Sequence, residues 1–301
     1  VALVGCGSAP EESSSDGGGS GAVDGFKPCI VSGTGGWEDR SFNELGKKGF
    51  DEALEELGVE GTAVASNTSS DFAPNIQSVL DQNCTMVITV GFDLAAAAAE
   101  AAAANPDVQF VSIDDIVDQD FDGKTDQPNI KPIIFDTAQA AFLAGYASAS
   151  FSKAKKVGTF GGKPFPTVTI FMDGFKQGVE YWNEQKGDNV EVLGWDGTNG
   201  VFADAFVPGQ PATNAAQGLV DQGVDVLLPV GGGIYQSAAS VIRDSGREIA
   251  LLGVDADVFE TDPNVGDLLL TSIRKFIDVG VKETVVAAGK GDFDAAPFIG
   301  T

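Results

Sequence analysis

Gly35-Gly36-Trp37-Glu38-Asp39-Arg40-Ser41-Phe42-Asn43-Glu44 follows a short apolar stretch, Cys29-Ile30-Val31, and leads into a run with helical periodicity. Phe42, Leu45, Gly46, Gly49, Phe50, Ala53, Leu54 and Leu57 recur at the spacing of one helix face. Ser41 and Glu44 have the S-x-x-E spacing of a capping box, which predicts Ser41 as the N-cap. A strand, a glycine turn and a capped helix present free backbone N–H groups and one side chain at the carboxyl end of a sheet. Open α/β sheets bind their ligands there. The competing reading is a well-capped βα turn that binds nothing.

The same unit recurs along the chain. Strands are predicted at 28–32, 61–65, 86–90, 108–113 and 130–135, with helices at 41–57, 74–82 and 93–104. Pro74 suits a first helical turn. The alanine run 95–104 has high helix propensity and too little bulk for anything but close packing on a sheet. The acidic segment Asp118 to Asp126 reads as a solvated loop. From Asp136 the pattern starts again, with helices at 137–151, 166–183, 211–222, 234–245 and 277–289. Strands fall at 156–160, 190–195, 224–230, 249–254 and 268–273. Val168, Phe171, Met172, Phe175, Val179 and Trp182 form the core face of helix 166–183. Such alternation predicts an α/β fold of parallel sheets covered by helices on both faces.

A chain of 301 residues accommodates two lobes of ordinary size, and 43% hydrophobic content is enough to bury their cores. The net charge is -26, with no histidine. Binding through nucleic-acid phosphates needs clustered Lys and Arg and is excluded. The overall field also disfavours anionic ligands, so a neutral or cationic small molecule fits better. Most of the carboxylates read as solvated surface. No apolar run is long enough for a transmembrane helix. There is no metal-ligand spacing and no activated nucleophile pattern, so no metal, cofactor or catalytic residue is expected.

G-G-x-x-D-x-S-F-N resembles the signature of the basic membrane protein (BMP/PnrA-like) family, nucleoside-binding lipoproteins of ABC importers. Ile130 to Asp136 running into Ala140-Ala141-Phe142-Leu143-Ala144-Gly145-Tyr146 is similar to it too. So are Val157 to Gly162, Phe175-Lys176-Gln177-Gly178-Val179 and Leu252-Gly253-Val254-Asp255. The likeness covers nearly everything after the first two dozen residues. It implies the type I periplasmic-binding-protein fold, two doubly wound parallel-sheet lobes joined by a hinge. The first lobe would hold residues 26–135 plus 275–301 and the second 136–274, with the last helix returning to the first. The family pattern runs on past Thr301 by another strand or so.

In such a protein the carboxyl ends of the strands face one another across a cleft. There lie Gly35 to Asn43, Gly91-Phe92-Asp93, Asp114-Asp115, Gly161-Gly162, Trp195-Asp196, Gly231 to Tyr235, Asp255 and Lys275. Glycines permit close backbone approach. Carboxylates accept hydrogen bonds from vicinal diols, and aromatic faces stack on flat rings. Together they fit a sugar joined to a planar base. The resemblance implies that Phe42 stacks on the base, with Asp39, Ser41 and Asn43 at the same pocket. Asp114 would meet base nitrogens. Asp255 would hold ribose hydroxyls with help from Lys275, and Gly231, Gly232 and Gly233 would contribute from the second lobe. Where relatives follow their Gly-Gly turn with Thr-Gly, this chain has Ile234-Tyr235. Tyr235 and Phe165 are both candidates for a second aromatic on the base.

Cys6, in Leu3-Val4-Gly5-Cys6, resembles the lipid-bearing cysteine of a bacterial lipobox. Residues 1–5 would be the tail of a signal peptide, and the Ser/Gly/Glu/Asp-rich stretch up to residue 25 a tether. That implies an extracytoplasmic protein held to the membrane by its lipid. Cys29 and Cys84 sit at the starts of strands that are neighbours in a 2-1-3-4-5 sheet. An exported protein permits a disulfide between them; two buried thiols are the alternative. The leading expectation is a monomeric binding protein that delivers nucleosides, purines favoured, to an ABC permease and ATPase by hinge closure. The rivals are a binder or sensor of another hydroxylated small molecule, such as a sugar or a furanosyl signal, and a nucleoside-cleaving enzyme.

Overall fold

The computed structural model describes residues 21–120 and 122–300. Cys6 and most of the tether lie outside them. The first sheet contains β1 (Pro28–Thr34), β2 (Thr62–Ser66), β3 (Met86–Val90), β4 (Gln109–Ile113) and β5 (Ile130–Phe135). The second contains β6 (Lys156–Gly161), β7 (Glu191–Leu193), β8 (Val226–Val230), β9 (Ala250–Asp255) and β10 (Leu269–Arg274). A last strand, β11 (Phe298–Gly300), returns to the edge of the first sheet beside β5. The orders are β11-β5-β4-β3-β1-β2 and β10-β9-β8-β6-β7, and the ladders are parallel. β11 apart, each lobe repeats the doubly wound order 2-1-3-4-5. Strands buried on both faces must be apolar throughout. Met-Val-Ile-Thr-Val in β3 and Val-Leu-Leu-Pro-Val in β8 meet that demand and are buried end to end.

The helices are α1 (Phe42–Leu57), α2 (Phe72–Asp81), α3 (Ala95–Ala104), α4 (Thr137–Phe151), α5 (Pro166–Lys186), α6 (Gln210–Asp221), α7 (Tyr235–Ser245), the one-turn α8 (Val258–Thr261) and α9 (Ile277–Gly289). On the first sheet, α1 and α9 bury Phe50, Val281 and Val285 over Ile30 and Ile88. On its other face α2 and α3 bury Phe72, Ile76 and Ala102 over Val31 and Val87. On the second sheet, α4 and α5 cover one face and α6 and α7 the other. The chain passes between lobes twice, at Asp136 after β5 and at Lys275-Phe276 after β10. After the second passage α9 lies against α1.

Two of the resemblance motifs have a packing reason. A Cβ at Gly145 would overlap the Phe175 carbonyl oxygen, and one at Gly178 would overlap that of Phe142. The glycines let α4 and α5 pack backbone to backbone. Cys29 and Cys84 are joined as a disulfide, with their Cα atoms 6.0 Å apart, so the two-thiol alternative is set aside. It lies under α2 and α3, where β1 and β3 run side by side.

The element expectations need amendment in several places. α2 starts at Phe72, ahead of Pro74, because a 3-10 turn at Ser69–Asp71 with Thr68 as its capping residue feeds into it. β7 stops at Leu193, because Gly194 turns to φ 88° and Trp195 bridges back to Gly200. α8 and β11 were not anticipated; both are too short to show a period. Ser41 does occupy the N-cap position of α1, but its side chain makes no capping hydrogen bond.

Candidate functional site

The work assigned to Ser41 is done by Asp39. Its Oδ1 accepts from the backbone N–H groups of Ser41 at 3.0 Å and Glu44 at 3.1 Å. Its Oδ2 accepts from the N–H of Asn43 at 2.9 Å and from the Asn43 amide at 3.0 Å. A carboxylate on the first N–H groups of a helix satisfies orphan donors and complements the helix dipole. Burial raises the Asp39 pKa, and these donors pull it back. Asn43 Oδ1 accepts from the N–H of Gly33 at 2.9 Å, fastening α1 to the end of β1. The D-x-S-F-N signature is therefore a hydrogen-bonded knot, and Phe42 is left to face the cleft.

Phe42 borders a cavity between the lobes enclosing about 570 Å³ of space, part of it continuous with solvent. Asp114, Asp255 and Lys275 converge on it. The Lys275 ammonium, 3% exposed, donates to Asp114 Oδ2 at 2.6 Å and lies 4.0 Å from Asp255 Oδ1. It also lies 4.9 Å from the Phe171 ring centre and 5.6 Å from that of Phe42. Asp114, just past β4, and Asp255, the last residue of β9, both hold φ above +60° and line the cavity. Among the described residues the side-chain donor within reach of the Asp255 carboxylate is the Ser41 hydroxyl, at 3.4 Å, which shares its proton with the Val254 carbonyl. Burial pushes its pKa up to about 7. Lys275 opposes that shift, while Asp114 and Asp39 add to it. Asp114 and Asp255 thus share one polar corner, where the resemblance had divided them between base and ribose.

The remaining wall is aromatic. Phe92 from the first lobe meets Phe165 from the second with ring centres 5.0 Å apart, and Phe165 meets Phe206 at 5.9 Å. Phe165, one of two candidates for a second aromatic, lines the cavity. Tyr235 does not. Its ring is 1% exposed in the second-lobe core, its hydroxyl donates to Asp262 Oδ2 at 3.1 Å, and burial pushes the phenol pKa up. Gly231 and Gly232 border the cavity, but a Cβ at either would run into Phe206, and the Gly233 N–H donates to the Phe206 carbonyl. The glycine turn seats the Phe206 loop. Gly233 and Ser41 stand outside the lining.

Lys163 and Phe206 went unassigned in the sequence, and Asp93 was placed at the cleft without a role. Gly91-Phe92-Asp93 had the signal of its place after a strand. Phe171 was read as core, which its 2% exposure supports, although it also touches the cavity. Phe206 sits in a loop with no periodicity. Away from the cleft, Asp118, Asp120 and Asp126 bring carboxylate oxygens within 4.8 Å of one another, so they are the residues with metal-holding geometry among those described. Around the cavity the lobes are in contact. The Ser41 hydroxyl donates to the Val254 carbonyl at 3.2 Å, and Arg40 pairs with the buried Asp262 at 2.6 Å. Two lobes meeting over a cavity lined with carboxylates and aromatics form a trap for a small molecule, and comparison with known proteins agrees.

The family model described as ABC transporter substrate-binding protein PnrA-like (Bmp) matches residues 29–297. The chain belongs to this family. It is 26% identical over 291 residues to the ABC transporter nucleoside-binding protein BmpA of Lactococcus lactis, covering 91% of this chain and 78% of that one. It is 27% identical over 251 residues to basic membrane protein A of Borreliella burgdorferi, covering 83% and 68%. An ABC-transporter solute-binding protein from Aeropyrum pernix superposes with a TM-score of 0.79 at 22% identity, covering 91% of this chain and 73% of that one. The glucose-galactose binding protein GanP of Geobacillus stearothermophilus superposes at 0.65 with 15% identity, covering 91% and 94%. The fold is that of type I periplasmic binding proteins. Among the described residues no helix is long and apolar enough to cross a membrane.

Proposed function

We propose that this chain captures a nucleoside, purines ahead of pyrimidines, between its two lobes. It would present the ligand to an ABC permease and its ATPase outside the cytoplasm, as a monomer tethered through a lipid on Cys6. The observation that carries this reading is one cavity with two characters. Phe42, Phe92, Phe165 and Phe206 offer faces to a flat ring. Asp114, Lys275 and Asp255 offer a buried donor–acceptor corner to hydroxyls. A base joined to ribose has both characters, whereas a free sugar or a free base has one. The name of the Lactococcus relative supports the same ligand class.

A thermal-shift panel tests it. Adenosine, guanosine, cytidine and uridine are compared with ribose, glucose and the free bases. Nucleosides binding N but not U should raise Tm by an amount that grows with concentration over Kd. Equal shifts from ribose or glucose would replace the nucleoside reading with a sugar reading.

A further inference from the structure

Asp93 stands in the 3-10 turn Phe92–Leu94 between β3 and α3, and its Oδ2 is buried with no hydrogen-bond partner. Buried carboxylate oxygens in folded proteins almost always have one. The nearest cation is Lys163 from the second lobe, just outside the cavity lining, whose ammonium lies 3.9 Å away, beyond hydrogen-bond distance. That ammonium is held over the faces of Phe165 and Phe206, 5.5 and 5.6 Å from their ring centres. Asp93 Oδ1 and Phe42 Cε1 each lie 3.6 Å from the point where a Cβ on Gly91 would project. Asp93 and Phe42 are therefore neighbours in the cavity lining. Asp114, the other acceptor suggested for a base, is already bonded to Lys275.

We propose that Asp93 and Lys163 form a base-edge reader that selects nucleosides of 6-oxopurines, guanosine first. The proposal rests on the nucleoside reading and extends it to the choice of base. A carboxylate only accepts and an ammonium only donates. Between them fits an edge with a donor beside an acceptor. The lactam edge of a 6-oxopurine has that order, N1–H toward Asp93 and O6 toward Lys163. Guanine adds the 2-amino group, so both carboxylate oxygens accept at once, and paired charge-assisted bonds are the stronger kind. Adenine in the same pose reverses the order, setting its 6-amino donor against Lys163 and its N1 acceptor against Asp93. The N3–H of uracil lies between two carbonyl oxygens, and the second of them would face the carboxylate.

The test is isothermal titration of the full chain with guanosine, inosine and adenosine. Inosine lacks only the 2-amino group. Wild type should bind guanosine about tenfold or more tighter than inosine, the value of one hydrogen bond to a charged group. Asp93→Asn should bring that ratio to within about twofold of one while adenosine affinity holds or rises, since the amide can donate to N1. Lys163→Met, at a half-buried surface position, is the second variant. It should weaken guanosine and inosine together, through O6, and leave their ratio unchanged. An unaltered guanosine-to-inosine ratio in Asp93→Asn, or no such preference in wild type, overturns the base-edge reader and leaves the nucleoside reading standing. Failure of all three to bind wild type overturns the reader and the preference for purines together.

Discussion

Asp255 carries the site's dependence on pH. Its carboxyl is buried, and its cation is 4.0 Å away and committed to Asp114, so burial dominates and lifts its pKa from 3.8 to about 7. A group whose native pKa is raised binds its proton more tightly when folded. Its stabilising contribution is complete below about pH 4 and is lost as pH rises through 7. Ligand-free Tm should carry a downward slope between those values that Asp255→Asn removes. Capture of hydroxyls by the carboxylate has the opposite sense: nucleoside affinity should rise from pH 6 to pH 8, with proton release measurable by calorimetry in buffers of different ionisation enthalpy. A flat affinity profile would show that Asp255 does not meet the ligand as a carboxylate. The second prediction separates the two characters of the cavity. Asp255→Ala leaves ribose hydroxyls unpaired, a loss of about 1–3 kcal/mol, and should erase most of the preference for ribose over 2′,3′-dideoxyribose. Phe42→Ala loses a stacking face, worth about 1–3 kcal/mol where base stacking has been measured, and should keep that preference while binding everything more weakly. Phe42, Asp114, Asp255 and Lys275 were legible because each follows a recognisable strand. Asp39 and Asn43 were legible as site residues, but their role in holding the end of α1 was not. An aspartate two residues before the N-cap has no local spacing rule to announce it. Tyr235 was misplaced because adjacency to a glycine turn does not say which way a side chain points.

At the scale of elements, the parallel sheets were readable because doubly covered strands have to be continuous apolar runs, as in β3 and β8. The failures came where tertiary contacts override local pattern. Gly194 ends β7 where the sequence still looks like a strand, and α8 is a single turn whose cap, Asp257, accepts from the Phe259 N–H. Gly145 and Gly178 belong to the pair α4–α5, and no single helix reveals why they must be small. Gly178→Val would force the α4 and α5 backbones apart. Overpacking of this kind costs about 1–3 kcal/mol, so Tm should fall while the affinity of the folded fraction stays near wild type, since neither residue lines the cavity. The Cys29–Cys84 bond ties β1 to the segment before β3 across a sequence separation of 55. By chain entropy such a closure contributes about 3–4 kcal/mol. Peptide mapping of unreduced protein should recover the linked pair, and Cys29→Ala with Cys84→Ala should lower the denaturation midpoint accordingly. Recovery of two free thiols from exported protein would leave that contribution without a source.

The whole molecule joins a net charge of -26 to a cavity lining that is richer in carboxylates than in cations. Lys275 is bonded to Asp114, and Lys163 faces Asp93. Arg40, which draws the lobes together through the buried Asp262, lies outside the cavity lining. Closure of the lobes excludes water, which strengthens every electrostatic contact inside, repulsive ones included. A 5′-phosphate would bring a charge of about -1.5 to -2 at neutral pH into a chamber already holding Asp93, Asp114 and Asp255. At the glycine turns the Gly233 N–H is taken by the Phe206 carbonyl, and the first helix N-terminus is filled by Asp39. Guanosine should therefore raise Tm by several degrees at a concentration where guanosine monophosphate raises it little or not at all. Screening shortens the reach of surface charge but acts weakly on buried groups. If the discrimination arises inside the cavity, it should persist in high salt. If it vanishes there, the surface field alone kept the nucleotide out, and the three cavity carboxylates do not select against it.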